Sequence, residues 1–395
     1  MPVYLDWAAT APIDPDIADY MRLVAETIPG NPSSIHSFGE KAKALLEESR
    51  KTCASVLGCA PGNVFFASGG SESNNIVFLS LLRKAKPGHI VTGAGEHSSV
   101  YEPARLLEKY GWKVSRVGAG KKGRITADDI AAALLPETAL VSVMLVNNET
   151  GMIQPLREIA AAVRAFEAGR GASGKRGRIH IHTDAVQAAG KIPFTVSGLG
   201  VDSLSVSAHK FRGPRGVGIL TAASAGACIT PLSVGGGQEG GIRPGTENIA
   251  GIAAMARALQ RAQENLEHNH ARARLLCGIL LEAMSGCGHC KVLPEARLSN
   301  PDGYSPFIVS LAFPPVPGEV LVRVMNDKGY AISTGSACSA RKKKDTRVLE
   351  GGGVSAKTAF SSVRVSFGPA TTEDEVRAFS RDLRKEAGIL FRTAS

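Results

Sequence analysis

Short apolar runs alternate with stretches of helical spacing from about residue 40 to residue 220. The runs are "NVFFAS" (63–68), "HIVT" (89–92), "LVSVMLV" (140–146), "IHIHTDA" (179–185) and "DSLSVSA" (202–208). Their lengths and their polar or glycine-bearing flanks predict buried strands joined by crossover helices, as in a largely parallel sheet. Near the start of this region, "GEKAKALLEESRKTCASVLG" sets Leu45, Leu46, Ser49, Cys53, Val56 and Leu57 on one broad stripe. That stripe predicts an amphipathic helix with Cys53 in the core. Past about residue 250 one long helical stretch, "AGIAAMARALQRAQENLEHNHARARLLCGILLEAM", leads into a mixed segment. The chain closes on a helix that Thr372 and Glu375 would cap as a box. We read a large α/β domain over 15–255 and a smaller α+β domain from 1–14 and 256–395. The glycine-rich, basic stretch 167–178 reads as a surface loop.

The ends of the strands carry the chemistry. The run 202–208 leads into His209 and Lys210 and then into "FRGPRGVG". A lysine at a buried strand end is costly unless its charge is paired or its amine reacts, the plain alternative being an escape to solvent. "FFASGGSESNN" passes from strand to helix through Gly69, Gly70 and Ser71, where backbone amides and a hydroxyl would cradle a phosphate. "IHIHTDAVQ" ends on Asp184 and Gln187, and "GEHSSVY" places His97 just after a strand. Each feature alone has an ordinary structural reading. Together they supply a lysine, an aspartate and phosphate donors at the end where open α/β sheets place ligands. Pyridoxal 5'-phosphate needs that set: a lysine to bond it, a carboxylate to keep its pyridine nitrogen protonated, and donors for its phosphate.

Composition narrows the class. Hydrophobic residues make up 44% and charged residues 21% of the 395, as in soluble globular proteins. There is no apolar run of membrane-spanning length, and "MPVYLDWAATAP" lacks the features of a signal peptide, so a cytoplasmic protein without a membrane partner is expected. The seven cysteines are scattered, which predicts free thiols in a reducing compartment. The net charge of +10 is densest in "GRGASGKRGR" (169–178) and "RKKKD" (341–345). Neither piece interleaves aromatics with its cations, so surface solvation accounts for the charge and nucleic acid is not an expected partner.

Nine segments then carry a resemblance: "YLDWAATAP", "GNPSSIHSFG", "SGGSESNN", "VNNETG", "TDAVQ", "SAHK", "GGGQEGGIRPGTEN", "STGSACSA" and "SSVRVSFG". In this order, over about residues 3 to 385, the chain resembles cysteine desulfurases of the NifS/IscS type, class V aminotransferase-like enzymes of pyridoxal-phosphate fold type I. The resemblance implies a large domain with a mostly parallel mixed sheet flanked by helices, beside a smaller α+β domain carrying the cysteine loop. It makes Lys210 the Schiff-base lysine, Asp184 the partner of the pyridinium and Gln187 the donor to the phenolate oxygen. His97 would stack on the ring and move protons. Gly70, Ser71, Ser207 and His209 would hold the phosphate, and Thr246 would reach the phosphate of a second subunit in a homodimer with shared sites. Asn148 and Arg364 would face cofactor and substrate, the guanidinium matching a carboxylate fork to fork. Cys338 would be the nucleophile that takes sulfur from L-cysteine as a persulfide. The implied acceptor is a protein such as an iron–sulfur scaffold or a tRNA-thiolation partner.

Two features depart from the family: Lys342, Lys343 and Lys344 follow Cys338, and 167–178 reads as an insertion of about ten residues, within what loops tolerate. "CGHC" (287–290) has the form of a redox pair, but it follows a helix and precedes a strand, and only His289 offers a further metal ligand. Selenocysteine lyase and a class V aminotransferase share the framework, and the latter would need no Cys338. A nucleic-acid-binding protein with a vestigial cofactor site is the reading from another class, marked by salt-dependent gel shifts without alanine formation.

Overall fold

The structure, a computed structural model, describes residues 2–120, 123–170, 178–223, 229–335 and 346–394. Twelve strands among the described residues form three sheets. The largest has the order β2-β8-β7-β6-β5-β3-β4: Val64–Ala67, Gly218–Ala222, Ser203–Ser207, His180–Asp184, Thr138–Ser142, His89–Gly93 and Lys113–Val117. From β7 to β4 neighbours are parallel, whereas β8 is antiparallel to both β7 and β2. The mixed sheet expected from the sequence is present, with β8 as the reversal. The run 140–146 is regular strand only to Ser142; beyond it Val143 N and Leu145 N still donate to His182 O and Asp184 O of β6, while Met144 and Val146 border a cavity.

Helices cover both faces. On one, helix α2 (Ser37–Leu57) packs with Ile249–Glu264, and Cys53 is wholly buried beside Leu46 and Leu57. Gly58 ends α2 at φ 66°, a left-handed cap that a side chain would oppose. On the other face Phe78, Val100 and Leu107 join Ile90, Leu140 and Leu220. The long helical stretch is two helices, Ile249–Glu264 and Leu266–Met284, broken at Asn265. A separate core forms around the antiparallel sheet β12-β10-β9 (Ser362–Ser366, Ile308–Ala312, Lys291–Leu293), with Phe313, Phe367, Phe379 and Leu383 buried in it. The helix Glu373–Ala394 opens with the expected box: Thr372 N–H donates to Glu375 and Glu375 N–H donates to Thr372 Oγ1.

One loop expectation changes. The segment 167–178 does not begin as a loop, since helix Leu156–Arg170 runs through Gly169, and 171–177 lie outside the described residues. The "CGHC" turn follows a helix and leads into β9 as expected; Cys287 Sγ meets His289 Nε2 at 3.2 Å, and burial pushes the Cys290 thiol up to about 12.

The chain's first residues tie the two cores together. Val3–Tyr4 (β1) pair with Tyr330–Ala331 (β11), and Asp6 bridges to Ser366 of β12. Residues 8–14 then cross the ends of the large sheet, where Ala11 N donates to His209 O (2.8 Å) and Asp14 N to Arg212 O (3.0 Å).

Candidate active site

At the C-terminal ends of β6 and β7, and at the start of the helix after β2, side chains converge on a cavity of about 180 Å³. Ten of the residues expected at the site line it: Gly70, Ser71, His97, Asn148, Asp184, Gln187, Ser207, His209, Lys210 and Arg364. Thr246 is exposed and does not line it. Cys338 lies outside the described residues, as do Lys342, Lys343 and Lys344.

Lys210 ends a short 3-10 turn after β7, and Arg212 follows in the left-handed region at φ 66°. Its Nζ donates to Ala8 O and Ala9 O, both at 2.7 Å. The lysine therefore points into the site, against the segment that closes it. Beside it the start of helix α3 (Gly70–Leu79) forms a tight cradle. A Cβ on Gly70 would stand 2.5 Å from Val186 Cγ2, and one on Gly218 would stand 2.5 Å from Gly69 Cα. Only glycine leaves room for the turn to lie against β8, and a helix N-terminus at a cavity offers free amides to an anion. Ser71, Ser207 and His209 border the same cradle with Arg215. Burial and the neighbouring charges of Lys210, Lys191 and Arg215 hold His209 down at about 4, so it is neutral at neutral pH.

Asp184 sits in a chain of buried hydrogen bonds that sequence reading missed. Asn74 Nδ2 donates to Asp184 Oδ2 and to Ser99 Oγ, each at 2.8 Å. With its nitrogen committed, Asn74 Oδ1 accepts from His182 Nε2 at 2.9 Å. The proton of neutral His182 is then on Nε2, and Nδ1 accepts from Ser203 Oγ at 2.7 Å. Ser203 Oγ in turn accepts from His180 Nε2 at 2.7 Å. Burial drives His180 down to about 4 and His182 to about 3.

The same network orients His97. It caps α4 (Ser98–Glu108), with Nδ1 accepting from Ser99 N at 3.1 Å and from Ser99 Oγ at 2.8 Å. Ser99 Oγ can donate there because it already accepts from Asn74. The neutral ring therefore carries its proton on Nε2. Burial lowers the His97 pKa, opposed by Asp184 and reinforced by Lys210, Arg347 and Arg364.

Opposite the cradle, Arg364 of β12 is 2% exposed and donates to Asn148 O and to Asp6 Oδ1, both at 2.9 Å. Its Nε and Asn148 Oδ1 have no hydrogen-bond partner among the described residues. A buried guanidinium with an unpartnered N–H at the border of a cavity suits a carboxylate. The described residues on either side of 336–345 are anchored here too. Ser333 bridges to Arg364, and Arg347 donates to Glu96 O at 2.8 Å, next to His97.

The sequence model of the aminotransferase class-V family matches residues 3–379. The chain is 36% identical over 377 residues to cysteine desulfurase IscS of Dictyoglomus turgidum, across 95% of this chain and 91% of that one. A solved NifS-like protein superposes with a TM-score of 0.87 at 32% identity, covering 99% of this chain and 100% of that one. SspA in complex with cysteine superposes with a TM-score of 0.77 at 29% identity, covering 94% of this chain and 100% of that one. Sequence and fold agree over nearly the whole length, and the chain belongs to the class-V aminotransferase family, among the cysteine desulfurases of the NifS/IscS type.

Proposed function

We propose that this protein is a cysteine desulfurase that uses pyridoxal 5'-phosphate, takes sulfur from L-cysteine and releases L-alanine. The observation that carries the reading is the meeting of Lys210, Asp184 and the Gly70–Ser71 cradle in one cavity that Arg364 also lines. The residues fit the cofactor: the cradle admits no Cβ at Gly70, and Asn148 Oδ1 and Arg364 Nε are buried without partners among the described residues. Gly70, Ser71, Ser207 and His209 would hold the phosphate, Asp184 the pyridine nitrogen, Gln187 the ring oxygen and Lys210 the aldehyde carbon. When bound, the cofactor supplies an electron sink for charge that develops at the substrate α-carbon.

The chain's own residues do the rest. Arg364 and Asn148 orient the substrate carboxylate. His97 holds a proton on Nε2, and Lys210 offers an amine at the strand end. Cys338 attacks the substrate sulfur; the carbon–sulfur bond breaks, a sulfur–sulfur bond forms, and L-cysteine plus the enzyme thiol become L-alanine plus enzyme persulfide. Ser333 and Arg347, on either side of Cys338 in the sequence, are both anchored beside the site.

The persulfide then passes to an acceptor protein, such as an iron–sulfur scaffold or a tRNA-thiolation partner. Thr246, exposed and outside the cavity, supports a homodimer in which it serves the second subunit's phosphate. The two cores support two domains, with the first core continuing through Leu259 of helix Ile249–Glu264, past the expected boundary at 255. No described helix is long and apolar enough to cross a membrane, and the five described cysteines are free thiols, which supports a cytoplasmic enzyme.

The test is to incubate the cofactor-loaded protein with L-cysteine and a thiol and to measure alanine and sulfide together. Both should appear in equal amounts. Cys338→Ser should stay yellow and release almost no alanine, because a hydroxyl is a poor sulfur nucleophile. Alanine release at the wild-type rate in that variant would remove the mechanism; an aminotransferase would be indifferent to the change.

A further inference from the structure

Lys191 is a buried lysine for which the chemistry above has no task. It follows Gln187 by four residues, is 7% exposed, and donates from Nζ to Gln187 Oε1 at 2.8 Å. No carboxylate pairs with it in any salt bridge among the described residues. Its charged neighbours are the cations Lys210 and Arg364, and burial together with those two lowers its pKa to about 7. A second cavity of about 240 Å³ borders Lys191 with Asp14, Arg212 and Arg261. Asp14 is already spoken for, at 3.1 Å by Arg212 and at 2.9 Å by Arg261. A buried cation without a counter-charge is a cost to folding, and an apolar residue of similar volume is often neutral or stabilising in its place.

What the lysine does supply is orientation. Gln187 Nε2 donates to Ala8 O at 2.9 Å, and Gln187 lines the catalytic cavity. With Lys191 on the oxygen and a carbonyl on the nitrogen, the amide has one stable orientation. Flipping it would set an NH2 against the lysine amine and two carbonyl oxygens against each other. The second N–H of Nε2 is thereby reserved for a ligand. We propose that Lys191 is a positioning residue that locks the Gln187 amide with its donor turned to the cavity, so that an anionic ring oxygen on the cofactor is held there. The inference rests on the cofactor reading above.

Lys191→Met removes the lock while keeping the volume, and Lys191→Arg keeps a donor. The cofactor's visible absorbance is titrated against pH in wild type, both variants, Gln187→Leu and the Lys191→Met/Gln187→Leu double variant, and the apoproteins are melted. A hydrogen bond to a charged group is worth about 1.5–3 kcal/mol. The absorbance midpoint should accordingly rise by about one pH unit in Lys191→Met. It should return most of the way in Lys191→Arg and move no further when Lys191→Met is added to Gln187→Leu. The apo form of Lys191→Met should melt no lower than wild type. An unchanged midpoint in Lys191→Met, additive shifts in the double variant, or a lower apo melting temperature with an unmoved midpoint would each overturn the inference. A wild-type protein that takes up no colour with pyridoxal 5'-phosphate would remove the cofactor reading itself, and this inference with it.

Discussion

Asn74 stands 2.8 Å from Asp184, a neutral amide on the first helix after β2 steadying a carboxylate 110 residues away. The same nitrogen also holds Ser99, and through it the ring of His97. One side chain thus sets the geometry of two expected site residues. Asn74→Ala should cost about 1.5–3 kcal/mol of stability, the worth of a buried hydrogen bond to a charged group. It should also weaken cofactor binding, because Asp184 loses its brace. Fluorescence titration of cofactor into the folded apoprotein measures the second effect; unchanged affinity would mean that Val186 N–H alone suffices to hold the carboxylate.

The buried histidines predict a pH dependence of stability. Unfolded histidines titrate near 6.5, whereas burial lowers folded His180 to about 4 and His182 to about 3. Their folded pKa values are depressed, so below about 6.5 the unfolded chain binds protons that the native state refuses. Stability is therefore full above that pH and falls as pH drops toward about 4, by roughly 1.4 kcal/mol per unit for each histidine. Urea midpoints taken between pH 7 and 5 should show this slope, and His182→Gln should flatten it. Constant midpoints over that range would show that the two rings take up protons in the folded protein as they do in the unfolded chain.

Arg50 and Glu239 form a bidentate pair, both bonds 2.8 Å, with Glu239 also accepting from Phe66 N at 2.7 Å. This pair fastens the "GGGQEGG" segment to β2. Glu239→Ala should lose up to about 3 kcal/mol, since it leaves a buried guanidinium whose remaining carboxylate contact is the single Nε bond to Glu47 at 3.2 Å. Pairing Arg50→Met with Glu239→Leu should recover part of that loss in chemical denaturation. A double variant less stable than Glu239→Ala would contradict the account.

The contacts of Lys210 Nζ with Ala8 O and Ala9 O are to uncharged carbonyls. Lys210→Ala should fold with near-wild-type stability and lose all turnover. Borohydride treatment of the loaded wild type should fix the cofactor to Lys210. A labelled peptide from any other segment would refute the assignment.

Much of this was legible in the sequence because the signals are local. The strands β2, β3, β6 and β7 are unbroken buried runs, and the residues that close them are the ones with chemistry. Strand β4 escaped because "KVSRV" lies at the sheet edge, where no residue is fully buried and charges interrupt the apolar pattern. Strand β8 escaped because its antiparallel pairing follows a glycine-rich turn that reads as loop. The break at Asn265 is a single residue with φ −99° inside an uninterrupted helical periodicity. Asn74 and Lys191 were invisible for a different reason. Their partners at Asp184, His182 and Gln187 give ordinary residues a task, and nothing in a helix start or a "GKIP" turn marks them.

Asp6 and Arg364 are 358 residues apart, yet their contact and that of Ala8 N with Ser366 Oγ (2.9 Å) fix the segment on which Lys210 rests. On the ribosome, then, the lysine and its strand emerge long before the sheet that seats the N-terminal segment exists. The large core can condense first and hold residues 8–14 through His209, Arg212 and Gln187, whereas the contacts of Asp6 and Ala8 with β12 form only once that strand has been synthesised and has docked. The N-terminal segment is thus pinned in two stages, by the large core early and by β12 late in biosynthesis.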